Sequence, residues 1–408
     1  MPEEINEKQG GAHTAAFEKV SPGNDIDLNR YETQTPEAPM QINTSEIPSE
    51  DRNKMLATGV MLDDTAQRAG TFVQLDNRPM HTSVTQEGIE IMATSQALAK
   101  YDWLKDYFWK TVAADADKYT THVKLNKADG YFIRALPGAK TVFPIQSCLY
   151  LSRAHLIQDV HNIVIAEEGS ELHIINGCAV AGQEPGLHLG VSEFYIKKGA
   201  KVTFSMIHSW SPETNVRPRT GAIIEQDGLF LSNYVLMRPV QSIQLDPSVR
   251  CVGENATVRF NSVMVATPGS KIDAGSKAFL DAKGARSEMI ARAISTGGEI
   301  VSRGYIEGNV TECKGHLECR GLILGKTGFI HAIPELKGAK AGVDLSHEAA
   351  VGKIAEEEVE YLMARGLTRD EATAAIIRGF LKVDIEGLPP MLNDELKKAV
   401  QASERDIF

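Results

Sequence analysis

The feature that most limits how this chain can fold is a series of short, alternating apolar segments broken by glycine-centred turns. They include EEGSELHIING, KKGAKVTFSMIHSW, GENATVRFNSVMVATPGSKIDAGS, KGARSEMIARAIS, GGEIVSRGYIEGN and GKTGFIHAIPELKGAK. Within KVTFSMIHSW the period is two, so Val202, Phe204, Met206, His208 and Trp210 share a face, because successive strand side chains point to opposite sides. Turn signals recur at intervals of roughly 10–17 residues without a strict repeat, which leaves no room for βαβ units. Strands this short and this evenly punctuated fit stacked β-rungs, as a solenoid or a sandwich. Stacked rungs bury one continuous core, so residues 121–350 are expected to form a single domain.

The flanks read differently. Residues 1–50 are polar and interrupted by Pro and Gly, as in VSPGNDIDLNRYETQTPEAPMQ, the composition of a partly flexible arm. Residues 51–120 are expected to be helical. In SQALAKYDWLKDYFWKTV, Leu98, Tyr101, Leu104 and Phe108 fall on one stripe, with Trp103 and Trp109 as packing aromatics. THVKLNKADGYFIRAL is expected to be a β-hairpin that turns at Asp129-Gly130. Residues 351–408 return to helix, with Gly366 as a stop and a capping box from Thr368 to Glu371. Leu362, Met363, Ile376, Ile377 and Phe380 make apolar stripes there, and LNDELKKAVQASERD reads as a final amphipathic helix. The stripes either close the end of the stack or face a partner protein.

Composition removes several classes of function. A formal net charge of −11 over 408 residues argues against a nucleic-acid partner, which calls for a basic face. No apolar run is long enough to span a bilayer, and the N-terminus lacks a secretory pattern. Five cysteines scattered between positions 148 and 319 do not form a disulfide framework. A cytoplasmic, reducing compartment with free thiols is expected.

Two motif readings fail on their own chemistry. GLILGKTG imitates a phosphate-binding loop but is one residue short, and the following GFIHAIPEL, with Pro334, reads as strand instead of helix. No strand–turn–helix nucleophile elbow is visible, nor the paired acids of a β-helical carbohydrate-active enzyme. Cys148 and Cys251 alternate with apolar residues and read as core thiols.

TECKGHLECRG gathers Cys313, His316 and Cys319 in seven positions and looks like half a zinc site. On a strand, positions three apart point in opposite directions, and Cys313 and Cys319 would lie roughly 20 Å apart at ~3.3 Å per residue. A local zinc site is therefore not expected. Ligands would have to come from neighbouring rungs, about 4.8 Å away, where His331, His347 and Glu348 are available to join Cys319. A thiolate, two imidazoles and a carboxylate near the end of a stack suit a soft or borderline metal or an iron–sulfur cluster. Cys313 stands as a further candidate ligand. An open sheet edge at that end would need covering, and a second subunit could cover it.

At ECRGLILG, and again at DLSHEAAVGKIAEEEVEYLMARGLTRDEATAAIIRGF, the chain resembles the SufB/SufD family, scaffold components of SUF iron–sulfur cluster assembly. Weaker similarity reaches back to about Asn162 through IVIAEEGSELHIINGCAV. The resemblance implies a mainly β fold, a right-handed β-helix or solenoid core flanked by N- and C-terminal α-helical regions. It implies that the C-terminal helices dock an ABC-type ATPase, SufC, which would account for the missing phosphate loop. It links Cys319 and Glu348 to cluster building, with His347 and His331 beside them, and Cys178 to accepting sulfur from a cysteine desulfurase or sulfide. Keeping Cys178, Cys319 and Glu348 makes the chain SufB-like. No cysteine precedes position 148, so no N-terminal cluster site is expected. The short N-terminal region is similar to archaeal or minimal systems, with a homodimer or a heterodimer with a paralogue. The expected function is a non-enzymatic scaffold for a transient cluster, [4Fe-4S] in type. The alternative is a SufD-like structural partner that holds no cluster.

Overall fold

The computed structural model describes residues 25–33, 44, 47–62 and 67–381. Most of the expected N-terminal arm and the expected last amphipathic helix lie outside the described residues. The chain winds into a β-solenoid of about eight turns. One sheet stacks Arg78–Val84, Gly70–Leu75, Ile145–Leu151, Glu171–Val180, Lys201–Ser209, Leu229–Leu236, Thr257–Ala266, Arg286–Ser295, Lys314–Ile323 and Asp344–Gly352 in that order. The other runs from Ile89–Ala93 and Tyr131–Ala135, through Ile157–Ala166 and Gly186–Ile196, to Glu299–Gly308 and Phe329–Gly338. The first rungs include two antiparallel pairings, Gly70–Leu75 with Arg78–Val84 and Ile89–Ala93 with Tyr131–Ala135. The remaining ladders are parallel, as rung-on-rung stacking requires.

Register holds from rung to rung, so inward side chains form columns. Phe204, Ser232, Phe260, Met289 and Leu317 follow one another across five successive strands. The lumen is filled by such columns, with Phe194 packed 4.9 Å from Phe204 and 5.0 Å from Phe230, ring centre to ring centre. The glycine punctuation has a conformational cause. Gly169 and Gly199 take φ of 67° and 65° at the corners, and Asp227 and Asn255 adopt the same left-handed geometry at 54° and 57°. Asp and Asn tolerate that region best after glycine.

Five α-helices dress the outside: α1 (Ser49–Leu56), α2 (Thr94–Lys100), α3 (Lys118–Leu125), α4 (Glu356–Met363) and α5 (Arg369–Leu381), counted among the described residues. α5 lays Ala374 and Ile377 over the outward residues Ile175, Ile207, Val235 and Val263 of the first sheet. Met55 of α1, with Val60 and Leu62, covers Cys148 and Tyr150. That contact is close enough that a Cβ at Gly177 would sit 2.1 Å from the Thr58 hydroxyl.

Three sequence expectations are corrected. Residues 51–120 are not a helical region, because Gly70–Leu75, Arg78–Val84 and Ile89–Ala93 are strands within it. The helical stripe at 98–108 does bury its side chains, but α2 ends at Lys100 and a short 3-10 turn, Asp102–Asp106, follows. The period of two in GTFVQL and the turn residues Asp76-Asn77 carry the local signal for that hairpin. The second correction is at THVKLNKADG, which is α3 followed by a loop instead of a hairpin. Asp117 caps α3 by accepting from the Tyr119 and Thr120 amides at 2.9 Å. Asp129 caps α2, accepting from the Ser95 amide at 3.0 Å. Each capping carboxylate satisfies amides that would otherwise be orphaned at a helix start. The capping box at Thr368 forms as expected, with Glu371 accepting from the Thr368 amide at 2.8 Å. The helical end begins later than position 351, since the strand Asp344–Gly352 carries His347 and Glu348.

Candidate functional site

Strand alternation decides where the expected residues go. Leu317 and Cys319 point into the lumen and are buried, whereas His316, Glu318 and Arg320 point out. Cys319 lies near the Ser302 hydroxyl, Sγ to Oγ 3.7 Å. Burial pushes its thiol above the ordinary value, and the Ser302 contact works against that shift. Cys313 precedes the strand and is tied into a corner, its thiol donating to the Leu280 and Ala282 carbonyls at 3.5 and 3.3 Å. His316 is on the outer face, with Nδ1 2.9 Å from the Ser346 hydroxyl. The three residues of TECKGHLECRG therefore do not converge.

The last rungs leave both sheets open. Phe329–Gly338 pairs only with Glu299–Gly308, and Asp344–Gly352 only with Lys314–Ile323, among the described residues. His347 stands opposite the luminal Leu317 and so on the Cys319 side of its strand. Glu348 stands opposite Glu318 on the outer side, where Arg320 bridges the two carboxylates. His331 stands opposite Val301 on the outer side of the other sheet. All three are exposed. Among the described residues no three His, Cys, Asp or Glu side chains gather to hold a metal ion. Donors of the right chemistry are thus present at one end of the solenoid, but on different faces of unpaired edge strands.

Cys178 lies in the lumen five strands away from Cys319, about 24 Å at ~4.8 Å per rung, in the neighbouring inward column. Burial pushes its thiol up to about 12, against a hydrogen bond from the Asn176 side-chain amide at 3.3 Å. Ser147 in turn donates to Asn176 at 2.7 Å. His208 is the direct partner of Cys178 on the next rung. Its Nδ1 lies 3.1 Å from the Tyr234 hydroxyl. Between these residues and Cys319 runs a luminal cavity of about 60 Å³, lined by Met206, Tyr234, Ser262, Ala291 and Ser302. That is room for a few water-sized atoms. Cys148 and Cys251 are buried core thiols, as expected.

Sequence reasoning missed the polar shell of Cys178. The signal was present: Asn176 sits two positions before Cys178, and His208 and Trp210 lie on the inward face of KVTFSMIHSW. It also missed Ser302 and Arg320, because contacts between rungs leave no trace in linear spacing.

The geometry thus comprises a β-solenoid with buried thiols in its lumen and, at an end where both sheets are unpaired among the described residues, exposed His and Glu side chains. The profile of the SUF-system FeS cluster assembly SufBD core domain matches residues 150–380. The chain is 48% identical over 400 residues to an iron–sulfur cluster assembly SufBD family protein of Methanothermobacter thermautotrophicus, covering 96% of this chain and 97% of that one. It is 49% identical over 358 residues to a SufBD family protein of Archaeoglobus fulgidus, covering 88% and 96%. A Pyrococcus horikoshii relative is 30% identical over 363 residues, covering 87% and 81%. The chain belongs to the SufBD family of iron–sulfur cluster assembly.

Proposed function

We propose that this chain is the SufB-like scaffold on which sulfur and iron are combined into a nascent cluster, [4Fe-4S] in type, with the cluster as cargo. The observation that carries this reading is the position of Cys319, one rung inside an end where both sheets are unpaired and His331, His347 and Glu348 are exposed. A single chain brings too few of these donors together, so a second subunit pairing edge to edge would complete the set. That subunit is a second copy or a SufB/SufD paralogue. Parallel or antiparallel addition to an open edge satisfies its backbone groups.

Cys178 is the sulfur acceptor in this reading. Its complete burial favours a small carrier of sulfane sulfur from a cysteine desulfurase over direct attack on a partner's surface persulfide, whereas sulfide, already reduced, would join iron without passing through Cys178. α4 and α5 are the docking platform for a SufC-like ABC ATPase, with hydrolysis in that partner and none in this chain. No helix among the described residues is long and apolar enough to cross a membrane. A cytoplasmic setting suits five free thiols.

The test is anaerobic reconstitution with iron and sulfide. Cys319→Ala is expected to abolish the visible absorption and bound iron of the reconstituted cluster, and a mutant that reconstitutes like wild type refutes the site. The competing reading is a SufD-like partner that holds no cluster, favoured by the lack of a converged ligand set among the described residues. Iron bound by the chain purified without any paralogue excludes it.

A further inference from the structure

Two polar groups inside the lumen have no hydrogen-bond partner among the described residues: Nε2 of His208, which pairs with Cys178 across the ladder, and the indole N–H of Trp210, two residues further on. Both side chains are at least nine-tenths buried, at 5% and 2% exposure. Their rings are 5.2 Å apart, and His208 neighbours Cys178 through the register of adjacent rungs. A buried group left unpaired is costly, and natural interiors rarely retain one without a use. An indole nitrogen is a donor only, so what completes this site must be an acceptor. When the Tyr234 hydroxyl donates to His208 Nδ1, the ring proton sits on Nε2, and His208 presents a second donor. Burial pushes the Tyr234 hydroxyl upward, which keeps it protonated for that role.

The Cys178 thiol itself does not need two donors, since it is neutral in this setting. A persulfide does. Persulfides are stronger acids than thiols, so their terminal sulfur is anionic near neutral pH, and charge-assisted hydrogen bonds to it are the strong kind. We propose that Trp210 and His208 form a donor pocket that holds the terminal sulfur anion of a persulfide on Cys178, a proposal that rests on the reading of Cys178 as sulfur acceptor.

The step balances without an oxidant. A small donor R–S–SH supplies the sulfane sulfur. The Cys178 sulfur, giving up its proton, attacks that terminal sulfur, so a new S–S bond forms at Cys178 and the donor's S–S bond breaks. The donor leaves as R–S⁻ and takes up the released proton as R–SH, while the sulfane sulfur keeps its oxidation state. The product's terminal S–H then ionises and is held by the two N–H groups. Trp210 and His208 are positioning residues, and the persulfide is retained because it pairs donors that the thiol leaves unpaired.

The full chain, kept anaerobic, is treated with inorganic polysulfide and then freed of excess. The extra sulfur on the Cys178 peptide is followed over time by alkylation and mass spectrometry. Wild type is expected to carry it, and its lifetime is expected to fall by about tenfold in Trp210→Phe and in His208→Leu. His208→Gln retains an N–H and is expected to stay within about twofold of wild type. The indole N–H resonance that Trp210→Phe removes should move downfield on loading in wild type and stay put in Cys178→Ser. If wild type loads at Cys178 and both Trp210→Phe and His208→Leu hold the sulfur equally long, the pocket is refuted and the acceptor role of Cys178 stands. If wild type loads elsewhere and never at Cys178, the acceptor role falls and the pocket with it. Should Trp210→Phe fail to fold, the His208→Leu and His208→Gln pair decides the matter alone.

Discussion

Glu318 and Glu348 are direct partners on adjacent parallel strands, and Arg320 spans them, its Nε 2.5 Å from Glu318 and its Nη2 3.8 Å from Glu348. Arg292 adds a second contact to Glu318 at 2.9 Å. Like charges placed opposite one another across a ladder repel unless a cation lies between them. The arginine therefore offsets the repulsion between the two carboxylates on the outer face of the last rung.

Arg320→Leu should loosen that rung and leave the rest of the solenoid intact. The expected loss is about 1 kcal/mol of stability. Amide exchange over residues 344–352 should accelerate, with the strands around Phe204 unchanged. Equal protection throughout would show that the carboxylate pair needs no bridge.

A buried carboxylate should contribute to the acid limit of stability. Glu193 is fully buried, lies 2.9 Å from His161 Nε2, and accepts from the Trp109, Lys110 and Thr111 amides at 2.5–2.7 Å. Burial alone would raise its pKa, but His161 and these amides outweigh it and the net shift is downward. A depressed carboxylate contributes stability that is present above its unfolded value of about 4.3 and is lost as pH falls through the folded one. Glu193→Gln should cost about 2–3 kcal/mol at neutral pH. It should also flatten the fall in melting temperature below about pH 5, which thermal melts across pH would record.

The open end should respond to a charge on its edge strand. Val351 is 42% exposed on Asp344–Gly352, and Phe329 is 45% exposed on the other edge. Under the proposed edge-to-edge pairing of two copies, Val351→Lys is expected to shift the chain from dimer to monomer in analytical ultracentrifugation, with no change in melting temperature of the monomer, since lysine on an edge discourages strand pairing; a wild-type chain that sediments as a monomer refutes the pairing.

Helix α5 should come away when its anchor is made polar. Ile377 is fully buried against the outer face of the first sheet. Ile377→Asp buries an unpaired carboxylate and is expected to cost about 3 kcal/mol or more. Limited proteolysis should then cut after Gly352 while the solenoid survives, and any binding to the proposed ATPase partner should be lost.

The sequence revealed this molecule unevenly. Alternation and turn glycines exposed the stacked rungs because both arise from local backbone geometry: an inward column needs a period of two, and a corner needs φ near +60° at residues such as Gly169 and Gly199. Strand parity also sets His316 on the face opposite Cys313 and Cys319, and the rise per residue holds the two cysteines apart. The hairpin at residues 70–84 was obscured by a strong aromatic helical stripe further on, whose residues are buried by packing and not by helix length. α3 reads as a strand in the sequence because Asp117, which supplies its cap, lies outside the alternating window. The shell around Cys178 was legible only in part, since its members come from separate rungs at distances fixed by the winding.

The antiparallel turn-backs at Gly70–Val84 and Ile89–Ala135 have a consequence for how copies can assemble. A solenoid with two open ends invites head-to-tail stacking, and that contact repeats without limit into a fibre. Here, among the described residues, the sheets end on one side in antiparallel edge strands, Arg78–Val84 and Ile89–Ala93, and on the other in parallel ones, Asp344–Gly352 and Phe329–Gly338. Two copies can meet tail to tail about a two-fold axis, each edge consumed by the other, after which growth stops. Unlike edges match poorly head to tail, so under the edge pairing proposed above the assembly would be finite, with any shared site in one place on the two-fold.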